Sequence, residues 1–247
     1  MLVKLQLTLG CATVALACAG QPDSLLLADD YQAVAAEFLD DVTVINDYER
    51  LNPVSKGDSV RLCQGYACSG WVEDKHPNGV VKHRGFYQDG QLLVYKNFHP
   101  DGKLEREFRT TDTFRGALTT YHTNGQVRTL VKYFKGEVLE WEDHYTNGQV
   151  RYEQAKHKSE PWYLKMNLYQ PDGKPISTLM LVDKRNNELE AKEYWPNGVL
   201  RTVGRSRFVP DRQDCVRVGI WKHFDASGKP VSEDTYVDGK VHGTRTL

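Results

Sequence analysis

The sequence predicts an all-β chain: an elongated antiparallel meander of repeated β-hairpins in a single twisted sheet, with a short N-terminal helix or linker. Two observations predict this class. Turn motifs ending in glycine recur along the chain, and their glycines are 23, 23, 23, 25, 25 and 30 residues apart. The segments between the turns are rich in Val, Leu, Tyr and Phe, which is typical of short strands joined by hairpins.

The composition of these turns predicts the strand register. Pro or Thr, then Asn or Asp, then Gly favours a type I turn in which the glycine adopts a positive φ and forms a bulge. The residue four before each glycine should then face the residue two after it. Most of these pairs place an aromatic ring against an apolar partner, which stabilises a cross-strand contact. The predicted pairs are Phe98/Leu104, Tyr121/Val127, His144/Val150, Tyr169/Pro175, Tyr194/Leu200 and Phe224/Pro230.

The pairs nearest each turn are mostly polar and should point to the opposite, solvated face. They are His76/Val80, His99/Lys103, His122/Gln126, Tyr145/Gln149, Gln170/Lys174, Trp195/Val199 and Asp225/Lys229. A second type of turn ends at Gly90, Gly136 and Gly239, and it matches poorly at 155–165, 183–189 and 205–214. We therefore expect a single sheet with a thin apolar layer on one face.

Charge divides the chain into regions. The 32 basic and 33 acidic residues nearly cancel, which gives no reason to expect nucleic acid or an anionic membrane as an obligatory partner. Residues 19–60, however, contain nine acidic and only two basic residues. We predict a signal segment at 1–19, an acidic linker or N-terminal cap at 20–60, and a repeat domain at 61–247. Within 24–50 we expect a short helix followed by a strand at 42–45.

The N-terminus has the composition of an export signal. Lys4 precedes an uncharged, largely apolar run at 5–19, which is short for a membrane span and suits a secretory signal. In one interpretation Cys18 ends a lipobox-like sequence and is lipidated, which gives an outer-membrane lipoprotein. In a second, Ala17-Cys18-Ala19 is a cleavage site, which gives a periplasmic or secreted protein. A cytosolic chain with a buried apolar segment is the third.

Cys63 and Cys68 have the spacing of residues that face each other across a short turn. Opposed antiparallel residues lie within disulfide distance, and export would favour oxidation. The alternatives are two inert thiols or, with no supporting ligands, a metal site.

From these residues the chain resembles the MORN-repeat variant family, whose bacterial members include the YwqK-type antitoxin components. The best-matching unit contains Gly219-Ile-Trp221, then Gly228, then Gly239 and Gly243, and Gly70-Trp71 echoes its first element. The resemblance implies a β-hairpin repeat and, for the family label, a toxin-neutralising role. An exported protein does not suit a cytosolic toxin, so this role is an alternative.

Nothing in the sequence predicts catalysis, and no nucleophile elbow, zinc-protease motif, P-loop or dinucleotide fingerprint is found. We expect no cofactor. His76, His99 and His122 recur evenly, but equivalent residues two strands apart are about 9.5 Å from each other, too far to share a zinc ion. We therefore expect no metal site.

A binding strip is the sharper hypothesis. The residue three after each turn glycine is often cationic, and rings precede several turns. The strip is formed by Tyr145, Trp195, Arg128, Arg151 and Arg201. Such rings and cations could bind a glycan, anionic headgroups or an acidic protein segment, or the cations could merely keep an exposed sheet soluble. We expect a non-catalytic scaffold that binds a protein or envelope component of unknown identity; a toxin-neutralising protein and a cell-wall glycan-binding module are the alternatives.

Overall fold

The computed structural model describes residues 48–212 and 214–247. Within them the chain is all-β and contains no α-helix. Strands β3 to β17 follow chain order in one antiparallel sheet, and β1 and β2 form a separate hairpin. The predicted hairpin meander is thereby confirmed. The predicted signal, Cys18, the N-terminal helix and the strand at 42–45 lie outside the described residues.

The chain divides into two compact units. Among the described residues, the first unit comprises 48–159 and 171–173, and the second comprises 160–170, 174–212 and 214–247. The strands of the first unit are β1 (Leu62–Cys63), β2 (Tyr66–Ala67), β3 (Gly70–Lys75), β4 (Val81–Gln88), β5 (Gln91–Phe98), β6 (Leu104–Asp112), β7 (Arg115–Tyr121), β8 (Val127–Phe134), β9 (Glu137–His144) and β10 (Val150–Lys156). The strands of the second unit are β11 (Tyr163–Tyr169), β12 (Pro175–Asp183), β13 (Glu188–Tyr194), β14 (Leu200–Val209), β15 (Asp214–Phe224), β16 (Pro230–Val237) and β17 (Lys240–Thr246).

The turns adopt the predicted geometry. All seven glycines of the first turn type have φ between +82° and +88°, a region that glycine enters without the steric cost of a Cβ. All six predicted cross-strand pairs are observed, from Phe98/Leu104 to Phe224/Pro230. The second turn type is a two-residue hairpin with both φ values positive, as at Asp89-Gly90 and Asp238-Gly239.

The predicted position of the apolar layer is wrong. In the first unit the buried side chains are those of Tyr95, Phe108 and their neighbours; we call this side of the unit the core face and the opposite side the outer face. Leu104 is only half-buried and lies on the outer face. The reason is the bulge at Glu105, which inserts one unpaired residue between Leu104 and Phe108. Two residues four apart thus fall on opposite faces, because each extra residue reverses the alternation.

Residues 48–61 cover part of the core face of the first unit. The ring of Tyr48 stacks on His83 with centroids 3.7 Å apart, and Val54 joins the core cluster that contains Phe108. Glu49 pairs with Arg106 at 2.7 Å. The described part of the predicted linker or cap thus lies on the face of the sheet.

The second unit has its own core face, formed by residues that include Leu189, Phe208 and Trp221. Trp221 is fully buried, and its indole N–H donates a hydrogen bond to the carbonyl oxygen of Arg205 at 2.9 Å. The ring lies on Gly204, where any Cβ would overlap it. A glycine thus provides the space that the largest core side chain occupies.

Candidate binding surfaces

The cationic positions of the predicted strip are bulge residues. In each hairpin the residue three after the turn glycine is skipped by the pairing register, as Arg128 is between Val127 and Thr129. Arg151 and Arg201 occupy the same position in their hairpins. A bulge redirects a side chain from its regular alternation, so Arg128, Arg151 and Arg201 occupy equivalent bulge positions in their hairpins.

The predicted rings and cations of the strip contact each other. The guanidinium carbon of Arg151 lies 5.8 Å from the ring centroid of Tyr145, and that of Arg201 lies 4.9 Å from Trp195. Arg151 is only 7% exposed. The indole N–H of Trp195 donates to the carbonyl oxygen of Phe224 at 3.1 Å. The structure therefore brings the predicted residues together in pairs, but within the protein rather than as a fully open strip.

The arginines of the predicted strip lie near buried carboxylates. Burial raises the pKa of Asp143, while the hydroxyl of Thr129, which donates to it at 2.5 Å, and the charges of Arg151 and Arg128 act in the opposite direction. Burial likewise raises the pKa of Glu193, and Arg217 and Arg201 oppose this increase. A carboxylate taken out of water requires nearby positive charge. Arg128, Arg151 and Arg201 thus stabilise acids of their own units.

Side-chain hydrogen bonds also connect the glycine turns of successive hairpins. The Asn of one turn donates its side-chain N–H to a carbonyl oxygen of the following turn, as Asn124 does to Thr146 at 3.1 Å and Asn197 to Ala226 at 2.9 Å. The turn that contains Asp101 cannot donate in this way. There Lys103 donates instead, to the carbonyl oxygen of Thr123 at 3.0 Å.

The recurring histidines belong to the same system. The Nε2 atoms of His76 and His122 lie 2.8 and 2.9 Å from the carbonyl oxygens of Phe98 and His144. A carbonyl only accepts, so each Nε2 carries the proton. Within residues 48–212 and 214–247, no three His, Cys, Asp or Glu side chains are arranged to hold a metal ion.

The Cys63–Cys68 pair forms a disulfide bond in the structure, with the Cα atoms 5.0 Å apart. We expected the two cysteines to be directly opposed. They are not, because Cys63 faces Tyr66. The backbone N–H of Cys68 donates to Arg61, and that of Gly90 donates to Cys68, each at 2.9 Å. The β1–β2 hairpin is thus attached to a turn of the sheet.

The structure reveals exposed apolar side chains that the sequence analysis did not assign to a site. Tyr66 and Leu62 on the β1–β2 hairpin are 82% and 62% exposed, and Trp71 on β3 is 58% exposed. The turn at Gly65 leaves only two residues in each strand of this hairpin. Such short strands could have predicted that Leu62 and Tyr66 lie outside the core. The outward position of Trp71 could be predicted only from the strand register of its repeat. That register becomes clear when the pairing of Gly70 is compared with that of Gly219 in the second unit.

Residues 217–238 match the sequence model of the MORN repeat variant. The chain carries a MORN repeat variant. In this MORN repeat, Gly219 has φ +67° and pairs with Tyr236, and Trp221 points into the core. Hairpins recur along the described sheet, which makes it a repeat scaffold, and residues 217–238 are the part that matches this motif.

The proposed echo of the MORN motif at Gly70-Trp71 is wrong by one residue. Gly70 pairs with Tyr87 as Gly219 pairs with Tyr236. Trp71 therefore takes the position of Ile220, which is 57% exposed, and not that of the buried Trp221. A shift of one residue moves a strand side chain to the opposite face.

No curated protein matches the chain. Among solved structures it is similar to TarM, with 10% identity and a TM-score of 0.19. It is also similar to a mutant of S. aureus TarM in complex with Fondaparinux, alpha-GlcNAc-glycerol and UDP, with 9% identity and a TM-score of 0.18. Each match covers 60% of this chain and 21% of the other. TM-scores this low support no inference about fold or function. Among the described residues of the chain, no helix could span a membrane.

Proposed function

We propose that this chain is a non-catalytic scaffold that binds a protein or envelope component at the bacterial cell envelope. The β1–β2 hairpin carries the proposal. It presents Tyr66 and Leu62 to solvent and is closed by the Cys63–Cys68 disulfide. Exposed aromatic side chains such as that of Tyr66 are among the anchors that protein interfaces use most.

The non-catalytic part of the proposal rests on how the buried polar groups are used. The Nδ1–H of His83 donates to the side-chain oxygen of Asn97 at 2.7 Å, and its Nε2 accepts from the hydroxyl of Tyr87 at 2.9 Å. Asp74 pairs with Arg61 at 2.6 Å. These groups stabilise the sheet and its covering segment. An acid or base that transfers protons needs access to a substrate, and His83 has no exposed surface.

The envelope location rests on the disulfide and on the signal-like N-terminus. Disulfides form and persist in exported proteins and are rare in the cytosol. The bond between Cys63 and Cys68 therefore favours the envelope role over neutralisation of a cytosolic toxin. Lipidation of Cys18 is the tether that we propose.

The anchor is tested by site-specific photocrosslinking in intact cells. A benzoylphenylalanine at Tyr66 should give a discrete crosslinked species, because the side chain lies in the contact. The same probe at Lys240, on exposed strand β17, is the matched control. Equal patterns at both positions would reject the hairpin as the anchor.

The tether is tested separately by metabolic labelling with palmitate. Label should enter the wild-type protein and be absent from Cys18→Ala, and globomycin should cause the unprocessed form to accumulate. Lipidation of Cys18 would be rejected if the wild-type protein took up no label and its processing were unaffected by globomycin.

A further inference from the structure

Trp71 is an outward-facing tryptophan that the repeat does not require. The motif's own tryptophan, Trp221, fills the core of the second unit, whereas Trp71 occupies the outward position that Ile220 takes there. At 58% exposure its ring contributes little to the core. An exposed aromatic of this size is costly for solubility and marks an interaction site when other groups join it.

Other groups do join it on the outer face of the first unit. Phe86, directly opposite on β4, stands edge-on to Trp71, with centroids 5.6 Å apart and planes at 69°. The guanidinium carbon of Arg84 lies 5.3 Å from the indole centroid, and Arg84 pairs with Glu73 at 3.5 Å. We call Trp71, Phe86, Arg84 and Glu73 the Trp71 corner. It combines two ring surfaces with a hydrogen-bond donor and an acceptor, all reachable from solvent.

The Trp71 corner is held in place before any ligand arrives. Trp71 follows three residues after Cys68, which is buried, disulfide-bonded and hydrogen-bonded through its backbone to Arg61 and Gly90. Regular pairing with β4 then fixes β3 from Gly70 to Asp74. A site on a rigid strand loses little conformational freedom when it binds.

Size and charge indicate the class of ligand. The exposed apolar surface at the Trp71 corner comes from two rings set edge to face, which suits one small cyclic unit of a ligand. The charges are nearly balanced, since Glu73 pairs with Arg84 and, on the neighbouring strands, Lys96 pairs with Glu107 at 3.1 Å. A polyanion would find little net attraction there. A sugar ring has a C–H face that packs on an aromatic ring and hydroxyls that hydrogen-bond to paired charges.

We propose that the Trp71 corner binds the glycan strand of the cell wall, with Trp71 as the stacking platform and Arg84 and Glu73 as partners of the sugar hydroxyls. This rests on the proposed envelope function and names the envelope component. It uses a different surface from the β1–β2 hairpin anchor, so the two can fail independently.

The test is cosedimentation of the full chain with purified peptidoglycan sacculi, before and after an amidase removes the stem peptides. The wild-type protein should sediment with both preparations. Trp71→Ala should lower the apparent affinity on the order of ten-fold, as expected for loss of a central aromatic anchor. Ile220→Ala removes the outward side chain at the equivalent position of the second unit and should bind like wild type. Thermal unfolding of each variant checks that it is folded.

Three results would overturn the proposal: no sedimentation of the wild-type protein, equal sedimentation of folded Trp71→Ala, or binding that disappears when the stem peptides are removed. The third would assign the ligand to the peptide. Photocrosslinking at Tyr66 tests the proposed function separately. A protein partner of the hairpin would still give a crosslink if the Trp71 corner bound no glycan.

Discussion

The indole ring of Trp221 lies on the backbone of Gly204, and its N–H donates to the carbonyl oxygen of Arg205 at 2.9 Å. The neighbouring strand thus supplies both the space for the largest core side chain of the second unit and the partner for its polar atom. Trp221 lies within the residues that match the MORN repeat variant, whereas Gly204, which makes room for it, lies outside them.

Gly204→Ala should destabilise the protein. A Cβ at this position overlaps the indole ring, and overpacking of this kind costs about 1–3 kcal/mol. Urea unfolding followed by Trp fluorescence measures the loss. Gly243→Ala is the matched control, since a Cβ there has open space around it. A midpoint for Gly204→Ala equal to that of wild type would show that the ring does not lie on this glycine.

Arg217→Met should destabilise the second unit by leaving Glu193 without its nearest cation. The two side chains are 3.1 Å apart and largely buried, and removing one partner of a buried pair costs about 3–5 kcal/mol. Glu193→Gln introduced into Arg217→Met should restore part of the loss, because the buried carboxylate charge is then removed. Additive losses in the double variant, measured by chemical unfolding, would exclude the pairing.

Asn124→Asp should weaken the contact between two successive turns. The carboxylate retains the acceptor that holds the backbone N–H of Gln126, but it loses the N–H that reaches the carbonyl oxygen of Thr146. One such hydrogen bond contributes about 0.5–1.5 kcal/mol, and the thermal midpoint should fall accordingly. Asp101→Asn makes the reverse change in a turn where Lys103 already donates a hydrogen bond to the next turn. It should therefore leave the thermal midpoint unchanged. A loss in both variants would indicate a general effect of the Asn/Asp exchange.

His83 should remain neutral at pH values where an exposed imidazole is charged. Burial lowers the pKa of His83 from 6.5 to about 4. Between these values the unfolded chain takes up a proton that the folded chain does not, so the free energy of unfolding should decrease as the pH falls from about 6.5 to about 4. Chemical unfolding over this range measures the slope, which should be smaller in His83→Gln. An NMR titration that gives His83 an ordinary pKa would contradict its buried position.

The hairpins could be predicted from the sequence because each turn defines its own register locally. The Pro-Asn-Gly pattern at 77–79 requires a positive φ and a bulge, and these conditions determine which residues face each other. All six predicted pairs followed from that chemistry. The Cys63–Cys68 spacing indicated proximity for the same reason, although not the diagonal arrangement that the structure shows.

The faces could not be predicted in the same way, because a face depends on alternation counted across a bulge. Leu104 and Phe108 have the spacing of one face, and the bulge at Glu105 separates them. The predicted binding strip shows a related limit at Arg151. Its charge acts on the buried Asp143 of the same hairpin, and whether a carboxylate is buried depends on the packing of the whole sheet face.

Hydroxyl-radical footprinting with mass spectrometry of the native protein tests the assignment of faces most directly. Trp71 and Trp221 both follow a strand glycine with positive φ, yet the register places the first outward and the second in the core. The 58% exposed ring of Trp71 should be oxidised several-fold faster than the fully buried ring of Trp221. Equal rates, or faster oxidation of Trp221, would contradict the register and, with it, the surfaces proposed for binding.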